Sequence, residues 1–152
     1  MVERRSGYVI NVNSLDCARS ARDGSPAYSV SKTALRRMTE IMALQLEGTG
    51  VVVVDLSPGM VRTAMGGGRP DADKMPPEAW MPPTPAADRV EEILSGRFDE
   101  LGGRFLHARD DLGALMAEMS GKPDARMLRL VPSGDNDAVL AYGTMTSHRS
   151  SR

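Results

Sequence analysis

The sequence predicts an α/β fold built on a parallel sheet, and three observations lead to that prediction. Residues 8–13 form a short β-branched segment, and a helical pattern follows from residue 27 to about residue 47. Four consecutive valines, residues 51–54, then begin a strand that is apolar on both faces. Such strands are typical of parallel sheets, which helices cover on both sides. Strand, helix and strand at this spacing form a βαβ unit.

The first strand follows Gly7, and a polar loop over residues 14–26 separates it from the helix. The loop contains Asp23-Gly-Ser-Pro26, which is typical of turns. Glycines at positions 48 and 50 end the helix, because glycine tolerates the backbone of a helix terminus. Apolar or long side chains recur every three or four residues and predict one buried face: Val30, Ala34, Leu35, Met38, Ile41, Met42 and Gln45.

The chain after the valine strand is less regular. Residues 66–85 hold three consecutive glycines and six prolines, which predicts a long mobile loop. We expect a helix over 86–94, a strand over 103–107, a helix over 110–119 capped by Asp110, and a short strand over 127–131. Residues 132–152 are polar and aperiodic, which predicts a disordered tail after one partial domain over 1–131.

Composition excludes several classes of function. The chain has 152 residues, a net charge of -1 and 41% hydrophobic residues, so neither a nucleic-acid partner nor a membrane partner is expected. Cys17 is the single cysteine, which fits a reducing compartment. His107 and His148 lie far apart, which argues against a metal site. We expect a soluble, cytoplasmic protein.

Tyr28 and Lys32 are the first candidates for chemistry. They lie four residues apart at the start of the predicted helix and therefore share one face. A phenol is a poor acid or base at neutral pH, but a nearby ammonium favours its deprotonated form. Such a phenol can exchange a proton with a carbonyl or alcohol oxygen. Ser14 follows the first strand, and its hydroxyl could bind the same oxygen at the carboxyl edge of the sheet.

The order of these features resembles the catalytic segment of the short-chain dehydrogenase/reductase family. The series is a strand, Ser14, Tyr28-Ser-Val-Ser-Lys32, a valine-rich strand and Ser57-Pro-Gly-Met-Val-Arg-Thr63. Residues 102–112 also look like the family's last core strand and its exit. The resemblance covers roughly residues 1–131 and implies the C-terminal half of a Rossmann-like doubly wound parallel sheet.

The resemblance also implies roles for individual residues. Tyr28 would be the acid/base, Ser14 the donor to the substrate oxygen, and Lys32 the ligand of the nicotinamide ribose. The nicotinamide pocket would be lined by Pro58, Gly59, Val61 and Thr63. The implied reaction is hydride transfer between NAD or NADP and a small alcohol or ketone. The complete enzyme would be a homo-oligomer that pairs through the helix of Tyr28.

Two departures from the family pattern affect this interpretation. Asn13 stands where the family often has a first serine, whereas Ser14 matches the catalytic one. The family's glycine-rich dinucleotide turn, its Asn-Asn-Ala-Gly segment and its catalytic asparagine have no counterpart here, and Gly66 to Gly68 lie in no strand–turn–helix pattern. The residue that would distinguish NAD from NADP lies in that N-terminal part.

The beginning of the chain looks like the end of the family's preceding helix running into its fifth strand. We therefore expect a start assigned too late, a truncated gene or a remnant, with a native start at Met1 as the alternative. The alternative to an oxidoreductase is an inactive remnant or an interaction fragment that pairs with another chain. Cys17 is expected to fill space rather than to react, and Trp80 to anchor its loop against the core.

Overall fold

A computed structural model of the protein describes residues 1–19, 25–67 and 72–130. Its strands are β1 (Gly7–Val12), β2 (Val51–Ser57), β3 (Met60–Val61), β4 (Trp80–Met81) and β5 (Phe105–His107). Its α-helices are α1 (Pro26–Gln45), α2 (Ala64–Gly67), α3 (Thr84–Leu94) and α4 (Leu112–Met119). Short 3-10 turns occupy Leu15–Cys17, Ala72–Lys74, Pro77–Ala79 and Asp99–Leu101.

The main sheet has three parallel strands in the order β1-β2-β5. Gly7 pairs with Val51 at one end, and Ser57 pairs with His107 at the other. This arrangement confirms the predicted α/β class and the parallel sheet, and it places the valine strand between the other two. It also brings the carboxyl ends of all three strands to one edge.

Strand β2 is covered on both faces, as its continuous apolar character predicts. Alternate side chains point to opposite faces. On one face Val54 and Leu56 join the apolar core, which includes Ile93 of α3 and Leu115 of α4. On the other face Asp55 meets α1 through Arg36. The face toward α1 thus combines buried valines, Val51 and Val53, with a buried polar contact at Asp55, whereas the opposite face is apolar.

The buried face of α1 is polar, which contradicts the apolar face that the sequence predicts. The fully buried helix residues are Arg36, Thr39 and Glu40, whereas Val30 and Ile41 are exposed. Arg36 Nη1 lies 3.0 Å from Asp55 Oδ2, and the Thr39 hydroxyl donates to Asp55 Oδ1 at 2.8 Å. A buried carboxylate requires such partners, so Asp55 selects the polar side of the helix.

Residues 126–129 lie against α1 and β5 and do not form the predicted strand. The Phe105 amide donates to the Arg126 carbonyl at 3.2 Å, which is one bond of a possible ladder. Other backbone groups bind side chains instead: the Leu128 amide donates to Glu40 Oε1 at 2.6 Å, and Arg36 Nη2 donates to the Arg126 carbonyl at 2.9 Å. Position 131 and the predicted tail lie outside the described residues.

Two further predictions need correction. Helix α4 is capped by Asp111, whose carboxylate accepts from the Ala114 amide at 2.9 Å, rather than by Asp110. Asp110 accepts from the His107 amide at 2.7 Å and so ends β5. The predicted loop over 66–85 contains short helical turns, and its strand β4 pairs in parallel with β3. Within the described residues no helix is long and apolar enough to cross a membrane.

Candidate active site

The candidate site lies at the sheet edge where β1, β2 and β5 end. Asn13 and Ser14 directly follow β1, and the backbone amide of Asn13 donates to the Leu56 carbonyl of β2 at 2.9 Å. Pro58 and Gly59 leave β2 directly beside the end of β5, because Ser57 pairs with His107. Parallel sheets bind ligands at this edge because their loops converge there.

Ser14 is held by its own backbone and by its neighbours. Its amide donates to Asn13 Oδ1 at 2.8 Å, and its Oγ accepts from the Asp16 amide at 3.2 Å. Because Oγ acts as an acceptor in that contact, its own hydrogen is available to donate to a ligand. The side chain of Asn13, which is 3% exposed, therefore helps to orient Ser14. The sequence analysis did not assign this role to Asn13.

Tyr28 and Lys32 lie together in the first turns of α1. The Lys32 ammonium is 5.7 Å from the centroid of the Tyr28 ring and donates to the Val12 carbonyl at 2.9 Å. Tyr28 keeps 38% of its surface exposed, so a solute can reach it. A second contact joins α1 to the turn after Ser14, because Thr33 Oγ1 donates to the Cys17 carbonyl at 2.9 Å. Helix α1 is therefore attached to the end of β1 on both sides of Ser14.

The segment from Pro58 to Thr63 forms a folded loop over the end of β2. Gly59 has a φ of +77°, which favours glycine. A side chain there would also collide with Met81, whose sulfur lies 2.5 Å from the position of a Cβ. Val61 belongs to β3, and Thr63 Oγ1 accepts from the Gly66 amide at 3.2 Å. The predicted pocket residues thus share one loop that β4 holds in place.

His107 also lies at this edge, although the sequence analysis considered it only as a metal ligand. Its Cε1 is 3.6 Å from the position that a Cβ at Gly59 would occupy. Burial lowers the pKa of His107, the nearby Arg109 and Arg126 act in the same direction, and Asp110 opposes them. The pairing of β5 with β2 could not be read from one sequence, so no signal placed His107 beside Gly59.

Cys17 and Trp80 are the two remaining residues near the site that the sequence analysis considered. Cys17 is buried, and burial together with the charge of Asp55 raises the pKa of its thiol to about 11. A protonated thiol is a poor nucleophile. Trp80 is half-buried in β4 and stacks under the Arg62 guanidinium, 4.7 Å from the ring centroid. Both side chains pack against the loops around the site.

Three hydrogen-bond donors lie near this edge of the sheet. An ammonium and two hydroxyls, from Lys32, Tyr28 and Ser14, can hydrogen-bond to hydroxyl and carbonyl oxygens of a ligand. No group of three or more His, Cys, Asp or Glu side chains that could bind a metal ion occurs in the described part of the chain.

Comparison with known proteins finds similarity to short chain dehydrogenases. Residues 1–74 match the family model described as short chain dehydrogenase. A short chain dehydrogenase of Pseudocercospora fijiensis is 31% identical over 142 residues, which cover 84% of this chain and 46% of the relative. The chain thus spans about half the length of this curated relative.

Solved structures extend the likeness to the fold. A 3-oxoacyl-[acyl-carrier protein] reductase from Brucella melitensis matches with a TM-score of 0.60 and 25% identity, over 70% of this chain and 42% of that one. An actinorhodin polyketide ketoreductase with NADPH matches with a TM-score of 0.62 and 23% identity, over 74% and 49% of the two chains. The parallel sheet described above is therefore part of a Rossmann-type architecture.

Proposed function

We propose, from the relationship of this chain to the short chain dehydrogenases, that it carries the catalytic half of an NAD- or NADP-dependent oxidoreductase acting on an alcohol or ketone. The observation that carries the proposal is the position of Lys32. Its ammonium lies beside the Tyr28 ring while it holds the Val12 carbonyl, two residues before Ser14. An acid/base and a hydroxyl donor thus belong to one attached unit at the ligand edge of the sheet.

In the proposed mechanism Tyr28 transfers the proton. In the reductive direction its hydroxyl protonates the substrate oxygen, and in the oxidative direction its phenolate removes the alcohol proton. Lys32 favours the phenolate by its positive charge. The Ser14 hydroxyl donates to the same oxygen and stabilises the negative charge that develops there.

Lys32 has a second role in this proposal. Only one of its three N–H groups is needed for the Val12 carbonyl, so the others can bind the nicotinamide ribose hydroxyls. Pro58, Gly59, Val61 and Thr63 would surround the nicotinamide, mainly through backbone groups. When bound, the cofactor supplies or accepts the hydride at its nicotinamide ring.

In this proposal the described strands would contact only the nicotinamide end of the cofactor. A glycine-rich turn that would cradle the pyrophosphate does not occur in the sequence. We therefore propose that residues 1–131 act as the C-terminal half of a doubly wound sheet. Whether NAD or NADP is preferred depends on residues around the adenosine, which this segment would not contact.

A second candidate function is association with another chain. Among the described strands β1 is an edge of the sheet, and Val12 is 60% exposed at its end. Helix α1 also exposes Val30 and Leu44, at 68% and 69%. Exposed strand edges and apolar faces favour pairing, so a piece that assembles with a second chain, including a homo-oligomer through α1, is the alternative.

Cofactor binding distinguishes the two functions. The chain has a single tryptophan, Trp80, close to the proposed nicotinamide loop. We expect saturable energy transfer from Trp80 to NADH, NADPH and reduced nicotinamide mononucleotide. Their affinities should be similar, because the adenosine half would make few contacts.

Lysine variants provide the matched control for this titration. Lys32→Ala should weaken binding at least about tenfold, because it removes a charged hydrogen-bond donor. Lys122→Ala, an exposed lysine after α4, should bind as the unmodified chain does. No saturation at millimolar cofactor, or equal binding by Lys32→Ala, would contradict the proposal and favour the association function.

A further inference from the structure

His107 lies at the same edge of the sheet as Ser14, on the other side of β2. It is the last residue of β5, and its partner Ser57 is followed by Pro58 and Gly59. Because Gly59 has no side chain, nothing from that residue separates the loop backbone from the imidazole. The half-buried ring of His107 thus lies at the wall of the proposed nicotinamide pocket.

The two ring nitrogens of His107 have different tasks. Nδ1 accepts from the Arg109 amide at 3.1 Å, so the neutral imidazole carries its hydrogen on Nε2. Burial, which lowers the pKa of His107, favours this neutral form of the ring. Nε2 makes no hydrogen bond within residues 1–19, 25–67 and 72–130. One nitrogen therefore fixes the ring, and the other presents a donor.

Arg109 holds the segment around His107 in place without binding Nε2 of the imidazole. Arg109 Nε lies 3.1 Å from the Met81 sulfur, and its Nη2 donates to the Glu78 carbonyl at 3.1 Å. These contacts fasten the segment before and within β4 over the end of β5. The guanidinium of Arg109 is thereby bound to the segment of Glu78 and Met81. The hydrogen-bond donor at the end of β5 is then the imidazole of His107.

We propose that His107 determines substrate specificity by donating a hydrogen bond from Nε2 to a second oxygen of the substrate. This inference rests on the proposed function, because it takes the reacting carbonyl to lie at Ser14 and Tyr28. Adjacent strands are about 4.8 Å apart, so the ends of β1 and β5 lie roughly 10 Å apart across β2. The substrate class is a ketone with another acceptor oxygen a few atoms away, such as a keto ester.

A pair of amide variants separates a ligand-binding role from a structural one. In His107→Gln the amide nitrogen replaces the Nε2 donor, whereas the Nδ1 acceptor is lost. In His107→Asn the amide oxygen replaces the Nδ1 acceptor for Arg109, whereas the Nε2 donor is lost. A purely structural histidine would tolerate Asn better, and a ligand-binding one would tolerate Gln better.

The probes are ethyl acetoacetate, which has a second acceptor group, and 2-pentanone, which does not. Their binding is measured by saturation-transfer NMR without cofactor, at tens of millimolar. We expect the ester to bind the unmodified chain and His107→Gln similarly, and His107→Asn about threefold to tenfold more weakly, the effect of one hydrogen bond. The binding of 2-pentanone should be the same in all three proteins.

Several results would overturn the inference. They are equal ester affinity in both variants, loss in His107→Gln with retention in His107→Asn, or no ester binding to the unmodified chain. The ester measurement uses no cofactor. If the cofactor does not bind but the ester still distinguishes His107→Gln from His107→Asn, only the hydride-transfer proposal is contradicted. Intact cofactor binding without ester discrimination would remove the role of His107 alone.

Discussion

Arg36 is the residue that ties the helix of the candidate site to the rest of the fold. Its side chain is 1% exposed and contacts Asp55 of β2, Glu40 of its own helix and the Gly103 carbonyl. Two carboxylates and one guanidinium leave the cluster negative, and Arg37 and Arg129 add positive charge at Glu40. Such a buried network holds α1 in one register, and Tyr28 and Lys32 at its start depend on that register.

Removing this guanidinium should strongly destabilise the protein. Arg36→Met would leave Asp55 and Glu40 buried without their main counter-charge, which costs about 3–5 kcal/mol. The measurement is the free energy of unfolding in urea. Arg37→Met is the control, because half of that side chain is exposed, and it should cost below about 1 kcal/mol. Similar losses in the two variants would contradict the account of the network.

At the scale of elements, helix α1 shows what a sequence pattern can and cannot predict. Its bounds, Pro26–Gln45, agree with the expected 27 to 47, because Pro26 and the glycines after it are local signals. Its buried face was predicted wrongly. Apolar spacing marks Val30, Met38 and Ile41, but the buried side of the helix is the one that supplies partners to Asp55. That carboxylate lies on a strand, 19 residues from Arg36 in the sequence.

The loop elements over the site follow the same rule. Ser14, Pro58 and Gly59 were placed correctly at the ends of strands, because a strand end is visible in the sequence. The β3–β4 pair was not predicted, since it joins Met60 to Trp80 across a proline-rich segment. His107 was not recognised as a neighbour of Gly59 for the same reason. Both contacts join segments that are far apart in the sequence, and local sequence patterns do not reveal such contacts.

The turn between β2 and β3 provides a prediction at this scale. Gly59→Ala would meet both a positive φ and the Met81 sulfur, which together cost about 2–4 kcal/mol. Gly48→Ala is the matched control, because its φ is +72° but a Cβ there has nothing within 4 Å. It should cost about 1 kcal/mol. Equal losses in thermal or urea unfolding would show that Met81 does not pack against the turn.

At the scale of the whole molecule, the three parallel strands β1, β2 and β5 bring the candidate site residues to a single edge. The apolar core lies on the side of α3 and α4, and the polar network lies on the side of α1. The sequence was sufficient for the fold class and the βαβ unit, because the valine run and the helix spacing are strong local signals. The position of β5 beside β2 depends on the folded chain as a whole.

Under the proposed function, the described residues would bind the reacting end of a dinucleotide and make few contacts with the rest of it. Affinity should therefore be low, but Tyr28, Lys32 and Ser14 would still act on a substrate that is present at high concentration. Occupancy at millimolar cofactor compensates for weak binding, because it depends only on concentration relative to Kd. The chemistry and the affinity can thus be tested separately.

The most direct test of the central claim is deuterium transfer from NADH deuterated at nicotinamide C4 to ethyl acetoacetate. The account predicts deuterium at the carbinol carbon of the product with the unmodified chain at millimolar cofactor. Tyr28→Phe should lower that yield at least about 100-fold, the usual contribution of a general acid, while energy transfer from Trp80 still reports cofactor binding. No deuterium above the protein-free level, or an equal yield with Tyr28→Phe, would contradict the assignment of this edge as a hydride-transfer site.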